Sequence, residues 1–307
     1  MSDRDRKRLL GVLFVGVLMG ALDIAIVGPA LPAIRAEFGI DARAASWIFS
    51  VYVLVNLVSA PFMAKLSDRW GRRRVYVLDV AAFAVGSLAV ALAPTYWALL
   101  IGRALQALGA GGIFPVASAV IGDVFPPERR GRALGLIGAV FGLAFLLGPL
   151  LGGLLLPFGW SWLFLINLPI AAWLIFAGAN LVPDERPDVP APFDVAGMIL
   201  LGGGLTALAL GLSLLDTARV GASLASWPVG PLLVAVLLLA PAFWIVERRA
   251  ADPIVRPSLL RPLPVKLVLL FAAGAGVTEA AMVFLPSLAV ETLGVAAVSY
   301  THLTLPT

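Results

Sequence analysis

Nine mostly apolar stretches run through this chain of 307 residues, at about 9–34, 46–64, 75–94, 96–121, 133–156, 161–182, 194–215, 228–246 and 265–290. Each is close to the roughly 20 residues that an α-helix needs to cross a bilayer. One water-soluble core could not bury them all: 61% of the residues are apolar and 13% charged, against roughly 25% charged in a soluble domain. The expected fold class is an all-α polytopic membrane protein with about nine transmembrane helices.

The charges sit between these stretches. The segment 64–74, AKLSDRWGRRR, carries Lys65, Arg69, Arg72, Arg73 and Arg74 between two apolar runs. Arg4, Arg6, Lys7 and Arg8 lie on the same side of the expected membrane. So do Arg129, Arg130, Arg132, Arg186, Arg248, Arg249, Arg256, Arg261 and Lys266. Arg35, Arg43 and Arg219 lie on the other side. That asymmetry places the N-terminus in the cytoplasm, as expected of a multi-pass protein of a bacterial inner membrane. It also explains the net charge of +4 through short loops rather than a nucleic-acid surface. A removable signal peptide is disfavoured, because the first apolar run continues past Asp23 and no small-x-small cleavage site closes it.

Two breaks divide the chain. VPDERPDVPAPFD (182–194) and ERRAADPIVRPSLLRPLPVK (247–266) are rich in proline and charge and read as linkers. The expected organisation is a six-helix bundle over 1–182, two further helices and a loop over 183–264, the first helix of another bundle over 265–297, and a short tail over 298–307.

Within the spans, Asp23, Arg103 and Glu279 are ionisable, each costing at least ~2.5–3.5 kcal/mol at the bilayer centre. They are expected to face a polar cavity or one another. A carboxylate that changes protonation can favour different conformations and so couple transport to protons. For Asp23 the plainer alternative is a helix-packing hydrogen bond, for Arg103 a structural ion pair, and for Glu279 the choice stays open. Asp79, one turn inside the third span, is expected to reach the headgroups. Trp47, Trp160 and Trp162 stand near span ends as interface anchors. Gly135, Gly138 and Gly142 share a helical face, followed by Gly148, Pro149, Gly152 and Gly153; small residues so spaced allow close helix approach. GAGG (109–112) has neither the preceding strand nor the following Lys of a phosphate loop. With no Cys and a single His, His302, no Cys-based metal site or Ser/His dyad can be built in the spans. An enzyme and a resident cofactor are not expected, although a polytopic membrane enzyme is the alternative class.

The segment 64–74 resembles the loop between the second and third helices of the major facilitator superfamily, G-x-L-A-D-x-x-G-R-K/R, with Ala64 for Gly and Ser67 for Ala. LDIAIVGPALPAI (22–34), LIGRALQALGAGG (100–112), GLIGAVFGLAFLLGPLLGG (135–153) and WSWLFLINLPI (160–170) resemble drug/proton antiporter motifs of its first, fourth, fifth and sixth helices. The departures are Gly28 for Asn, and Ala107 and Ala144 for Gly. Two more helices and FWIVERRAADPIV (243–255) resemble the fourteen-helix branch.

The resemblance implies a monomeric, proton-driven exporter of amphiphilic or cationic compounds. A metabolite or sugar transporter of the same superfamily is the alternative. It gives Asp23, Arg103 and Gln106 roles in proton coupling or substrate contact. It gives Asp68, Arg69, Gly71, Arg72 and Arg73 the role of a cytoplasmic latch against a second half of the transporter. The ending VSYTHLTLPT (298–307) matches, residue for residue, one reading frame of a transposon-based sequencing-library adapter. Val298–Thr307 is therefore expected to be translated adapter joined to a gene fragment. Such a fragment lacks roughly five helices of the second half and so should not transport, because alternating access needs both halves.

Overall fold

A computed structural model describes residues 1–184, 194–216 and 219–293, with side chains except at 257 and 279–293. The side chain of Glu279, part of the first linker and the tail 298–307 lie outside the described residues.

The chain is a bundle of long apolar helices. They are α1 (Asp3–Phe38), α2 (Ala42–Trp70), α3 (Arg72–Ala91), α4 (Tyr96–Val124), α5 (Pro127–Leu155), α6 (Ser161–Leu165), α7 (Asn167–Leu181), α8 (Val195–Ser213), α9 (Val220–Leu224), α10 (Val229–Glu247) and α11 (Leu263–Leu293). Among the described residues, eight spans are long and apolar enough to cross a membrane, with α6 and α7 together forming one. The chain is a multi-pass membrane protein. The ninth expected span corresponds to α11, whose described apolar part, Leu263–Thr278, is shorter than the other eight.

Local sequence sets the helix ends. Ser2, Asp41, Thr95 and Asp194 each accept a backbone N–H from the first turn of the helix they precede, as N-caps do. Gly39 closes α1 in the left-handed region at φ 62°. The single span expected over 161–182 breaks at Ile166, because Pro169 withholds the N–H that would bond the Leu165 carbonyl.

The core lies where α1, α3, α4 and α7 meet, with α2 and α5 flanking. The α3–α4 seam is the tightest, because glycines of α4 lie against backbone. A Cβ at Gly102 would meet the backbone of Val90 and at Gly109 that of Asp79 and Phe83, while Gly111 faces α2, where a Cβ would meet the hydroxyl of Ser59. Gly86 of α3 would likewise meet the backbone of Gln106. GAGG is thus a packing surface.

The α5 glycines divide. Cβ atoms at Gly148 and Gly152 would meet Ala25 and Pro29 of α1, whereas those at Gly135, Gly138, Gly142 and Gly153 would meet nothing within 4 Å. The regular spacing therefore marks a packed face only in the second half of the helix. Trp160 is also corrected. It is 5% exposed, lies 6.0 Å from the rings of Phe38 and Phe164, and donates its indole N–H to Glu37 at 2.5 Å. It ties α1 to α6 rather than standing at a lipid interface. Trp162 remains half exposed.

Helices α8 and α10 form a hairpin that packs on α2 through α8. Lys65 of α2 donates to Asp252 at 2.7 Å, and Glu247 accepts the backbone N–H groups of Ile254 and Val255. The loop after α10 is thereby folded back onto the bundle.

Candidate functional site

At the centre of the bundle four helices contribute one polar network. Asp23 comes from α1, Ser87 from α3, Arg103 and Gln106 from α4, and Asn167 from the start of α7. All but Asn167, at 2%, are 0% exposed. Helix α4 presents Arg103 and Gln106 one turn apart, so both side chains reach the same level.

The Arg103 guanidinium donates from Nη1 to Asp23 Oδ2 at 2.5 Å and to Gln106 Oε1 at 2.6 Å, and from Nε to the Ile48 carbonyl at 3.2 Å. Gln106 Nε2 donates to Asp23 Oδ1 at 2.6 Å and to Ser87 Oγ at 2.8 Å. Asn167 Nδ2 donates to the same two acceptors at 3.3 and 3.4 Å. The guanidinium also lies 4.2 Å from the Tyr52 ring centre and 5.7 Å from that of Phe164, so ring faces shield the charge.

Both carboxylate oxygens of Asp23 are satisfied by donors from two other helices. The buried Nη2 of Arg103 has no acceptor among the described residues. A proton arriving at Asp23 would weaken its attraction to Arg103 and free Gln106 and Asn167, so protonation would alter contacts among α1, α3, α4 and α7. This is the chemistry a proton-coupled conformational change needs.

Asp23, Arg103 and Gln106, to which the resemblance gave roles in proton coupling or substrate contact, are in direct contact. Ser87, Asn167 and Tyr52 were not foreseen. For Ser87 and Asn167 a lone neutral polar residue within a span was the one available signal.

The loop residues expected to latch form a separate cluster. Gly71, at φ 93°, joins α2 to α3, a conformation that favours glycine. Arg72 pairs with Asp68, donates to Ser67 Oγ at 2.6 Å, and reaches Asp123 of α4 at 3.1 Å. The departure at Ser67 from the usual Ala thus supplies an acceptor for Arg72. Arg73 donates to the Val182 carbonyl at 2.6 Å, and Arg69 is exposed. These contacts tie the loop to its own bundle.

Asp79 is corrected too. Expected to reach the headgroups, it is instead 0% exposed on the α3–α4 seam, and neither carboxyl oxygen has a hydrogen-bond partner among the described residues. A cavity of about 390 Å³ opens between α2, α4 and α8, lined by Val51, Val58, Phe62, Leu108, Met198 and neighbouring side chains. No member of the Asp23 network lines it.

A model of the Major Facilitator Superfamily matches residues 13–306. The chain belongs to the major facilitator superfamily. Among curated members it is 38% identical over 302 residues to the uncharacterized MFS-type transporter YfiU of Bacillus subtilis, covering 96% of this chain and 58% of that one. It is 35% identical over 251 residues to multidrug resistance protein 3 of Bacillus subtilis, covering 80% and 48%. It is 35% identical over 270 residues to the tetracenomycin C resistance and export protein of Streptomyces glaucescens, covering 86% and 48%. The chain spans about half the length of these curated relatives.

Among solved members of the superfamily, a peptide transporter, POT, crystallised with sulfate matches at TM-score 0.62 and 20% identity, over 94% of this chain and 62% of that one. The human organic anion transporter MFSD10 matches at TM-score 0.55 and 23% identity, over 69% and 56%. These likenesses establish the helical fold. The family is one of transporters, not enzymes.

Proposed function

We propose that the full-length protein is a proton-coupled secondary transporter that exports amphiphilic or cationic drug-like compounds by alternating access. The buried Asp23–Arg103–Gln106 network carries this reading: a carboxylate whose partners come from separate helices can link a proton to helix packing. The multidrug and tetracenomycin C relatives favour export and drug-like substrates. Proton movement down its gradient is the driving force, with no resident cofactor. The protein would act as a monomer in a bacterial inner membrane, its N-terminus cytoplasmic by the distribution of Arg and Lys.

In this reading residues 1–182 are one transport half, 183–264 carry the two linker helices, and α11, with Glu279, opens the second half. Asp68, Arg72 and Arg73 would hold that second half at the cytoplasmic face. Gly148, Pro149 and Gly152 would limit leakage along α1.

The test is efflux from everted vesicles containing the full-length protein, with a fluorescent lipophilic cation as probe. Export that collapses when a protonophore dissipates the gradient, and that loses its pH dependence in Asp23→Asn with normal insertion, is the expected result. Export indifferent to the protonophore would overturn proton coupling.

A further inference from the structure

Asp79 poses a problem that the Asp23 network does not solve. It lies on α3 eight residues before Ser87, which is about 12 Å along the axis at 1.5 Å per residue. Its carboxyl group faces Gly112 of α4 so closely that a Cβ there would land on Oδ1, Oδ2 and Cγ. A Cβ at Gly109 would meet the Asp79 carbonyl. Bare backbone from α4 therefore covers this carboxyl.

The charged and titratable groups of the surrounding helices are engaged elsewhere or exposed. Tyr76, one turn before Asp79 on α3, donates its hydroxyl to the Val12 carbonyl at 3.3 Å. On α4, Arg103 is bound to Asp23 and Gln106, Asp123 receives Arg72, and Tyr96 donates to the Ala44 carbonyl at 2.8 Å. On α2, Lys65 pairs with Asp252, Asp68 with Arg72, Arg69 is exposed, and Tyr52 stacks on Arg103. Helices α6 and α7 carry no ionisable residue.

Buried, unpaired charge in a low-dielectric site is far costlier than a buried neutral acid. Neither oxygen of Asp79 has a hydrogen-bond partner among the described residues to offset a charge.

We propose that Asp79 is a second proton-binding site of the bundle, separate from the Asp23 network, holding its proton inside the closed α3–α4 seam. The proposal stands apart from the transport reading, because the site holds its proton whether or not efflux is coupled to one.

Infrared spectroscopy of the full-length protein in lipid nanodiscs at neutral pH tests this. The expected result is a protonated-carboxyl stretching band that shifts when aspartate is ¹³C-labelled. The band should disappear in Asp79→Asn and in Asp79→Ala and persist in Asp23→Asn. If Asp79→Asn fails to fold, Asp79→Ala, which removes both unpartnered oxygens and adds no bulk to the tight seam, should still fold. Three outcomes would overturn the proposal: no aspartate-derived band in the wild-type protein, a band surviving in either folded Asp79 variant, or loss of the band on adding sodium chloride, which would make Asp79 a cation site.

Discussion

Asp23 and Asp79 are equally buried, each within a span, yet their surroundings are opposite. Around Asp23, Arg103, Gln106 and Asn167 converge as donors from two other helices. Around Asp79, α4 brings glycine backbone and no donor. The two sites represent the two ways a bilayer protein can keep a carboxyl inside: surround it with partners, or leave it neutral. The first joins helices through a charge, and the second lets two helices touch almost backbone to backbone.

The largest expected effect comes from making the first region resemble the second. Arg103→Ala leaves Asp23 charged without its cation and should destabilise the bundle by about 3–5 kcal/mol, the usual penalty for breaking a buried pair. Asp23→Asn added to it should recover much of that loss. Thermal unfolding in detergent reads both, and a double variant no better than the single would break the comparison.

Next comes the dry seam. Gly112→Ala puts a methyl onto the Asp79 carboxyl and should cost about 1–3 kcal/mol, as overpacking does. Gly138→Ala, on the open face of α5, should change the same unfolding midpoint little or raise it slightly, by under about 1 kcal/mol. Equal losses at the two positions would mean that the seam is not specially tight. The smallest effect is expected at Ser87→Ala. It removes the acceptor shared by Gln106 and Asn167 and should cost about 1 kcal/mol while leaving the Asp23–Arg103 contact intact.

The spans were legible because a twenty-residue apolar run has few other uses. The Asp23–Arg103 pair was legible for the opposite reason: two opposite charges in hydrocarbon are too costly to stay apart. Asp79 was misread because its distance along the chain from Arg72 suggested an easy route to the headgroups. Sequence does not reveal that Gly109 and Gly112 of α4 close over it. Ser87 and Asn167 were passed over because a single neutral polar residue in a span costs little, and the network that gives each its place is assembled from four helices. The α5 glycines carried a correct spacing, but spacing does not say where a partner helix ends. The break at Ile166 was signalled by Pro169 and missed because hydropathy runs unbroken across it.

The Asp23–Arg103 contact also has a history in time. Its partners are 80 residues apart in the chain. A ribosome adding roughly 5–20 residues per second delivers Arg103 about 4–16 seconds after Asp23. During that interval the first helix holds an acidic group whose cation has not yet been made. Until the fourth helix arrives, α1 must therefore keep that acid protonated or stay out of the lipid, sheltered by the insertion machinery. The pair becomes a stabilising contact only once synthesis has passed the midpoint of the six-helix unit.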